Sequence, residues 1–312
     1  MRNAFADEVA KLAQADSRVV LLSGDIGNKL FDPFKLVDDS RFYNCGIAEG
    51  NMMGVAAGMA LSGLRPIVYT ITPFTTTRCF EQIRVDVCYH KAPVIIVGTG
   101  SGLSYAELGP THHSLEDMAI LRSLPGMRVV APCDANELRS VMRAALNDNA
   151  PTYIRIGKKG ETTIFPQPPE LKIGKSTIVK QGQDIALICS GTLMGEVVQA
   201  AQNLAEVGVS AEVVSMHSVK PLDEDYLLNA QSRFKLITSI EEHGLIGGLG
   251  GAIAEWRSQG NHAIKHVMLG TPDEFMHEVG TQDYARHKYG LTNKAIVARV
   301  QEELNQEKDV AL

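Results

Sequence analysis

No run of lysine and arginine occurs in the 312 residues, and the formal net charge is −6. A phosphate backbone or an anionic membrane surface needs a clustered basic patch to displace its counterions, so broad surfaces for nucleic acid or membrane are not expected. The five cysteines (Cys45, Cys79, Cys88, Cys133, Cys189) are odd in number, scattered and never in C-x-x-C spacing. That excludes a paired disulfide framework and a zinc knuckle, and it suits a reducing cytoplasm. Long hydrophobic runs are missing too: "VVLL" and "PVIIVG" are far too short to cross a bilayer. The opening "MRNAFADEVAKLAQAD" carries acids within its apolar stretch, unlike a signal peptide, and sets Phe5, Val9 and Leu12 on one side of an amphipathic helix. There is no internal repeat and no low-complexity tract.

What is present is the text of a globular α/β protein. Short β-branched runs bounded by Gly, Pro or Asp recur ("RVVLLSGD", "RPIVYTI", "APVIIVGTG", "MRVVAPCD", "PTYIRIG") with helical patterns between them. Strands apolar at every position need cover on both faces, which predicts a parallel sheet between layers of helix. From Gly160 to about Gln183 the periodicity fades around Pro166, Pro168 and Pro169, and a linker with room for one short strand is expected. Alternation then restarts with "DIALICSG", a helix capped by Ser190 or Thr192 and stopped at Gly208, "SAEVVSM", "KLITSIEE", a helix from Ala252, "KHVML" and a last helix capped by Thr292. The fold class expected is therefore α/β in two doubly wound domains, 1–170 and a smaller 171–312.

Glycine clusters invite a dinucleotide reading, but "GTGSG" (98–102) and "GGLGG" (247–251) both break G-x-G-x-x-G spacing. The first lacks an immediate helix, and the second follows the acids Glu241 and Glu242 where ribose recognition needs one about twenty residues later. His112 and His113 are adjacent and point apart, with no further ligand nearby to complete a metal set.

One segment stands out: "NCGIAEGNMMGVAAGMALSG", residues 44–63, where Glu49 heads a run of small residues. The plain reading is an exposed helix N-terminal acid stabilised by the helix dipole. The sharper reading is that Gly46, Gly50, Gly54, Ala57 and Gly58 let another backbone, or a second subunit's helix, approach closely and bury the carboxyl. Burial disfavours the charged form of a carboxyl and a cationic partner restores it, so such a group is suited to exchanging a proton with a bound heterocycle.

"YNCGIAEGNMMGVAAGMALSG", "GPTHHSLEDMAILRSLPGMRVVAPCD" and "EEHGLIGGLGGAIAE" together resemble the C-terminal half of transketolase, across nearly the whole chain and in the family's order. The resemblance implies a pyrimidine-binding domain followed by a transketolase C-terminal domain. It further implies the smaller subunit of a split transketolase, with thiamine diphosphate seated between subunits. The diphosphate and a divalent metal (Mg or Ca) would be held mainly by a larger N-terminal subunit. By the same resemblance Glu49 hydrogen-bonds a ring nitrogen of the aminopyrimidine and exchanges its proton, Phe74 stacks on that ring, and Asp25 helps organise the pocket. His112 faces the oxygens of the donor sugar, while Arg2 and Lys158 match cations that hold the acceptor's phosphate. A homodimer through the glycine-rich helix, extended to a heterotetramer, is the assembly implied.

The pattern departs from the family in places. Thr77 and Ile71 stand where aromatics are usual, Leu108 replaces an aspartate in "AELGPTH", and Gly100 replaces a histidine. Two other readings stay open at this point: the β subunit of a 2-oxo acid dehydrogenase, and a non-catalytic interaction subunit that keeps the fold.

Overall fold

The structure is a computed structural model and describes residues 1–27, 29–260 and 262–310. In chain order the strands are β1 (Val19–Ser23), β2 (Phe42–Asn44), β3 (Arg65–Ile71), β4 (Ile95–Thr99), β5 (Arg128–Val130) and β6 (Thr152–Ile156), then β7 (Thr177–Lys180), β8 (Ile185–Ser190), β9 (Ala211–Ser215), β10 (Ser218–Lys220), β11 (Leu236–Gly244) and β12 (Lys265–Thr271). Among the described residues they form one sheet in the order β10-β5-β6-β4-β3-β1-β2 and another in the order β12-β11-β8-β9-β7. Every residue of β1, β4 and β6 is buried, as strands covered on both faces must be. The first helix, Arg2–Ala15, buries Phe5, Val9 and Leu12 against this sheet.

The short β2 is legible only in three dimensions: three residues, largely exposed, with no apolar run to mark them. A second feature escapes the sequence as well. β10 follows β9 of the second sheet yet pairs antiparallel with β5 of the first, Ser218 opposite Val130. The two sheets also share a core, in which Val20 and Ile96 lie in one cluster with Ile188, Val214 and Met216.

Two local expectations are corrected and a third is met. Neither Ser190 nor Thr192 caps the following helix, which is Met194–Glu206 and has no side-chain cap; the Thr192 hydroxyl instead accepts from Arg286 Nη2. The helix expected from Ala252 begins earlier and spans Leu249–Gly260, because Glu241 fills its N-terminal cap. The Glu241 carboxylate accepts from the backbone N–H of Leu249 and of Gly250, at 2.7 and 2.8 Å. A Cβ on Gly248 would lie 2.1 Å from that carboxylate, so this glycine of "GGLGG" makes room for the cap. The last helix is Asn293–Val310, and its Ala295 N–H is 3.4 Å from Thr292 Oγ1, so the cap predicted there is present but long.

Candidate active site

The residues singled out from the sequence leave one edge of the first sheet. Asp25 follows β1, Glu49 follows β2, Phe74 follows β3, His112 lies beyond β4 and Lys158 beyond β6. The strands involved are parallel, so these segments all emerge at carboxyl ends, where open α/β sheets bind ligands.

Glu49 is the first residue of the helix Glu49–Leu61 and is 2% exposed. A buried acid needs a partner. It has one in Arg78, whose Nη1 lies 3.2 Å from both carboxylate oxygens. The guanidinium carbon of Arg78 also sits 4.1 Å above the centre of the Phe74 ring, a cation–π contact. Burial, together with the charge on Glu49, pushes the neighbouring Cys79 thiol up to about 12.

The threonine run explains how Arg78 arrives there. Pro73 opens the short helix Thr72–Thr75, and the Thr75 and Thr76 hydroxyls both donate back to the Thr72 carbonyl. Thr77 donates to the Pro73 carbonyl, while Thr72 donates across to Thr99 on β4. Hydroxyls that bond backbone carbonyls in this way interrupt regular winding. The chain therefore turns tightly, and Arg78, four residues after Phe74, folds back over the ring. Arg78 was not singled out from the sequence, although it is the lone charge in "YTITPFTTTRCF". A single cation placed after a candidate stacking ring is the signal that could have found it.

His112 completes the cleft. Its ring meets Phe74 edge-on at 5.4 Å and Tyr105 at 6.0 Å, and its Nδ1 is 3.0 Å from Thr111 Oγ1. No hydrogen bond to its Nε2 is seen among the described residues. Lys158 stands beside it, with its Nζ 4.3 Å over the Tyr105 ring and paired with Glu107. The hydrogen bond from Lys158 holds the Glu107 carboxyl below the usual range. Arg2 is exposed at the start of the first helix; the adjacent Met1 amino group bonds Glu161, three residues past Lys158, which brings Arg2 to the same loop. Asp25 is exposed, at φ +56°, and accepts from Asn44 Nδ2 at 3.0 Å. Asn44 in turn accepts from the Gly46 N–H, so Asp25 braces the turn that delivers Glu49.

One of the departures has a plain physical cause. Gly100 is at φ +72° and a Cβ there would fall 1.9 Å from Tyr105, so no histidine fits. Thr77 is turned back onto the backbone and Leu108 is exposed. His113 is buried, and burial lowers its pKa. Among the described residues no three His, Cys, Asp or Glu side chains are placed to hold a metal ion. The glycines of the Glu49 helix meet little within this chain: Gly58 has open space, and Gly50 and Gly54 face only the side chains of Gln82 and Asp86 at ordinary distances, whereas Ala57 is buried in this chain's own core and is not open to a second helix. Val55 and Leu61 of that helix are exposed beside them.

Residues 1–160 match the family model "Transketolase, pyrimidine binding domain" and residues 174–296 match "Transketolase, C-terminal domain". The chain belongs to the transketolase family. It is 34% identical over 303 residues to the 6-deoxy-6-sulfo-D-fructose transketolase subunit SqwH of Clostridium sp. (strain MSTE9), covering 97% of this chain and 94% of that one. It is 33% identical over 297 residues to an apulose-4-phosphate transketolase subunit of Phocaeicola vulgatus, covering 95% and 94%. Among solved structures, a split gene transketolase described as an inactive beta4 tetramer superposes with a TM-score of 0.89 at 35% identity, covering 97% of each chain.

Proposed function

We propose that this chain is the smaller subunit of a two-chain transketolase. The complex would transfer a two-carbon ketol unit from a ketose or ketose phosphate to an aldose, with thiamine diphosphate and a larger partner subunit. The observation that carries the reading is the guanidinium of Arg78. It is flat, cationic and rich in N–H donors, and it lies between the buried Glu49 carboxylate and the π face of Phe74. A protonated aminopyrimidine has the same shape and the same donor chemistry, so the residues present fit that ring. When bound, the cofactor supplies the reactive carbon and the electron sink.

The chain's own residues have distinct tasks in this reading. Glu49 accepts and returns a proton at its carboxylate, and its burial keeps water from competing for that hydrogen bond. Phe74 supplies a stacking face. His112 keeps Nδ1 on Thr111 and leaves Nε2 for the donor's oxygens. Lys158, now paired with Glu107, can exchange that carboxylate for a substrate phosphate, and Arg2 supplies a second charge. Asp25 braces the turn before Glu49. The diphosphate and its Mg or Ca ion fall to the partner, so the isolated chain would not bind the cofactor tightly. The superposed tetramer is described as inactive, which agrees with a chain that needs its partner in order to act.

The uncovered glycines of the Glu49 helix support a homodimer there, extended to a heterotetramer by the partner. We take 1–170 and 171–312 as the two domains, and the cytoplasm as the compartment. No helix among the described residues is long and apolar enough to cross a membrane. The test is Glu49→Gln in the complex reconstituted with the larger subunit. Loss of an acid–base group costs about 10²–10⁴ in kcat, so turnover of ketose donors should fall within that range. An unchanged rate would mean the chain is a scaffold, and turnover of 2-oxo acids alone by the wild type would reject ketol transfer.

A further inference from the structure

The segment that carries His112 is a loop closed at its root. Gly102 and Ser114 exchange backbone hydrogen bonds at 3.1 and 3.0 Å, and Tyr105, Glu107 and His112 lie on the loop between them. What holds the root is the second sheet. The Glu242 carboxylate, at the carboxyl end of β11, accepts from the Leu103 N–H at 2.8 Å. The Glu242 carbonyl accepts from Arg155 Nη2, which also donates to the Ser114 carbonyl, at 2.8 and 2.9 Å. Two residues on, the Gly244 N–H donates to the Leu115 carbonyl at 2.8 Å. One strand end thus grips both sides of the loop.

The grip is itself braced. Gln282 Nε2 donates to both Glu242 oxygens, at 2.8 and 3.1 Å, and reaches Ser104 Oγ at 3.3 Å. Arg286, one turn along the same helix Gln282–Lys288, pairs with Glu242 through Nε. Glu242 is 1% exposed and Leu103 fully buried, so water cannot replace these bonds. A Cβ at Gly102 would come 2.5 Å from Glu242 Oε1, which accounts for that glycine.

We infer that Glu242, braced by Gln282 and Arg286, is a positioning residue through which the second domain sets the place of His112 over the Phe74 cleft. This rests on the reading of His112 as the group facing the donor, but the arrangement itself can be tested without turnover. Hydrogen exchange of the full chain, read on peptides covering 103–113, is the first measurement. A hydrogen bond to a charged group is worth about 1.5–3 kcal/mol, so Glu242→Ala should speed exchange there about tenfold or more while β4 and the helix Glu49–Leu61 keep their protection. Glu242→Gln, whose amide oxygen can still accept from Leu103, should restore most of it.

In the reconstituted complex Glu242→Ala should lower kcat/KM for the donor with the half-saturating thiamine diphosphate concentration unchanged. Gln282→Ala, a milder change at a half-buried side chain, should shift both readouts the same way by less, and it decides the matter if the alanine variant at 242 does not fold. Unchanged loop exchange in these variants would overturn the inference, and so would an equal loss of protection across β4 or of cofactor affinity. If the wild-type complex transfers no ketol unit, the functional reading fails while the exchange result still stands.

Discussion

Arg78 Nη1 is 3.2 Å from both oxygens of Glu49, and the same guanidinium covers Phe74 at 4.1 Å. One half-exposed side chain therefore engages both features that a pyrimidine ring would need. A ring that stacks on this face of Phe74 and bonds Glu49 must first move Arg78 aside.

The cost of that displacement sets a prediction for Arg78→Ala. Arg78 is half exposed, and its ion pair and its cation–π contact are each worth up to about 1 kcal/mol, so removing the competitor should lower the half-saturating thiamine diphosphate concentration by up to about thirtyfold. The same variant without cofactor should melt earlier, because the buried carboxylate loses its cation. Cofactor titration of the reconstituted complex and thermal melts of the isolated chain check the two halves. Weaker cofactor binding by Arg78→Ala would show that the guanidinium holds the ring instead of competing with it.

Phe74 and His112 touch, yet their variants should separate. Aromatic stacking is worth about 0.5–1.5 kcal/mol, so Phe74→Leu should weaken the cofactor about two- to tenfold with little change in saturated turnover. His112→Asn should leave the cofactor's half-saturation in place and lower kcat by about a hundredfold or more, as an acid–base or hydrogen-bonding group near the donor would. Steady-state kinetics at varied cofactor concentration distinguish the two patterns. Equal losses in both parameters for both variants would indicate a collapsed cleft.

Most strands were legible because burial on both faces leaves continuous apolar runs, and β1, β3, β4, β5, β6, β8, β9 and β11 each lie in such a run; β12, a partly buried edge strand, was read from "KHVML" alone. β2 and β10 were not, since β2 is largely exposed and β10 takes its partner from the other sheet, so neither is marked by its own pattern. Glu49, Phe74, His112 and Lys158 could be named because each matches a position in the transketolase pattern that the chain resembles. What they do to one another could not be. The pairing of Glu49 with Arg78 depends on threonine hydroxyls breaking a helix, and the tie between Glu242 and Leu103 joins residues 139 apart in sequence. The glycines at 100, 102 and 248 were rejected as a nucleotide loop but had no assigned purpose, for the same reason. Each makes room for a side chain from elsewhere, Tyr105, Glu242 or Glu241, and no local pattern announces the neighbour.

A final prediction concerns pH and lies away from the cleft. His266, on β12, has its Nε2 2.8 Å from Ser239 Oγ. Burial, with a smaller push from the charge on Arg257, moves it down from 6.5 to about 4. The unfolded chain thus takes a proton on this imidazole near pH 6.5 and the folded chain only near pH 4. Between those values the unfolded state binds more protons, so stability falls as pH falls, by up to about 1.4 kcal/mol per pH unit from this group. Above that window the contribution is fully present, and below it the contribution has been lost and changes no further. Urea unfolding of the wild type and of His266→Gln across the window should therefore give a difference in stability that is flat near neutrality and shrinks steadily toward pH 4. A difference that stays constant throughout would mean that the folded protein protonates this imidazole as readily as the unfolded chain does.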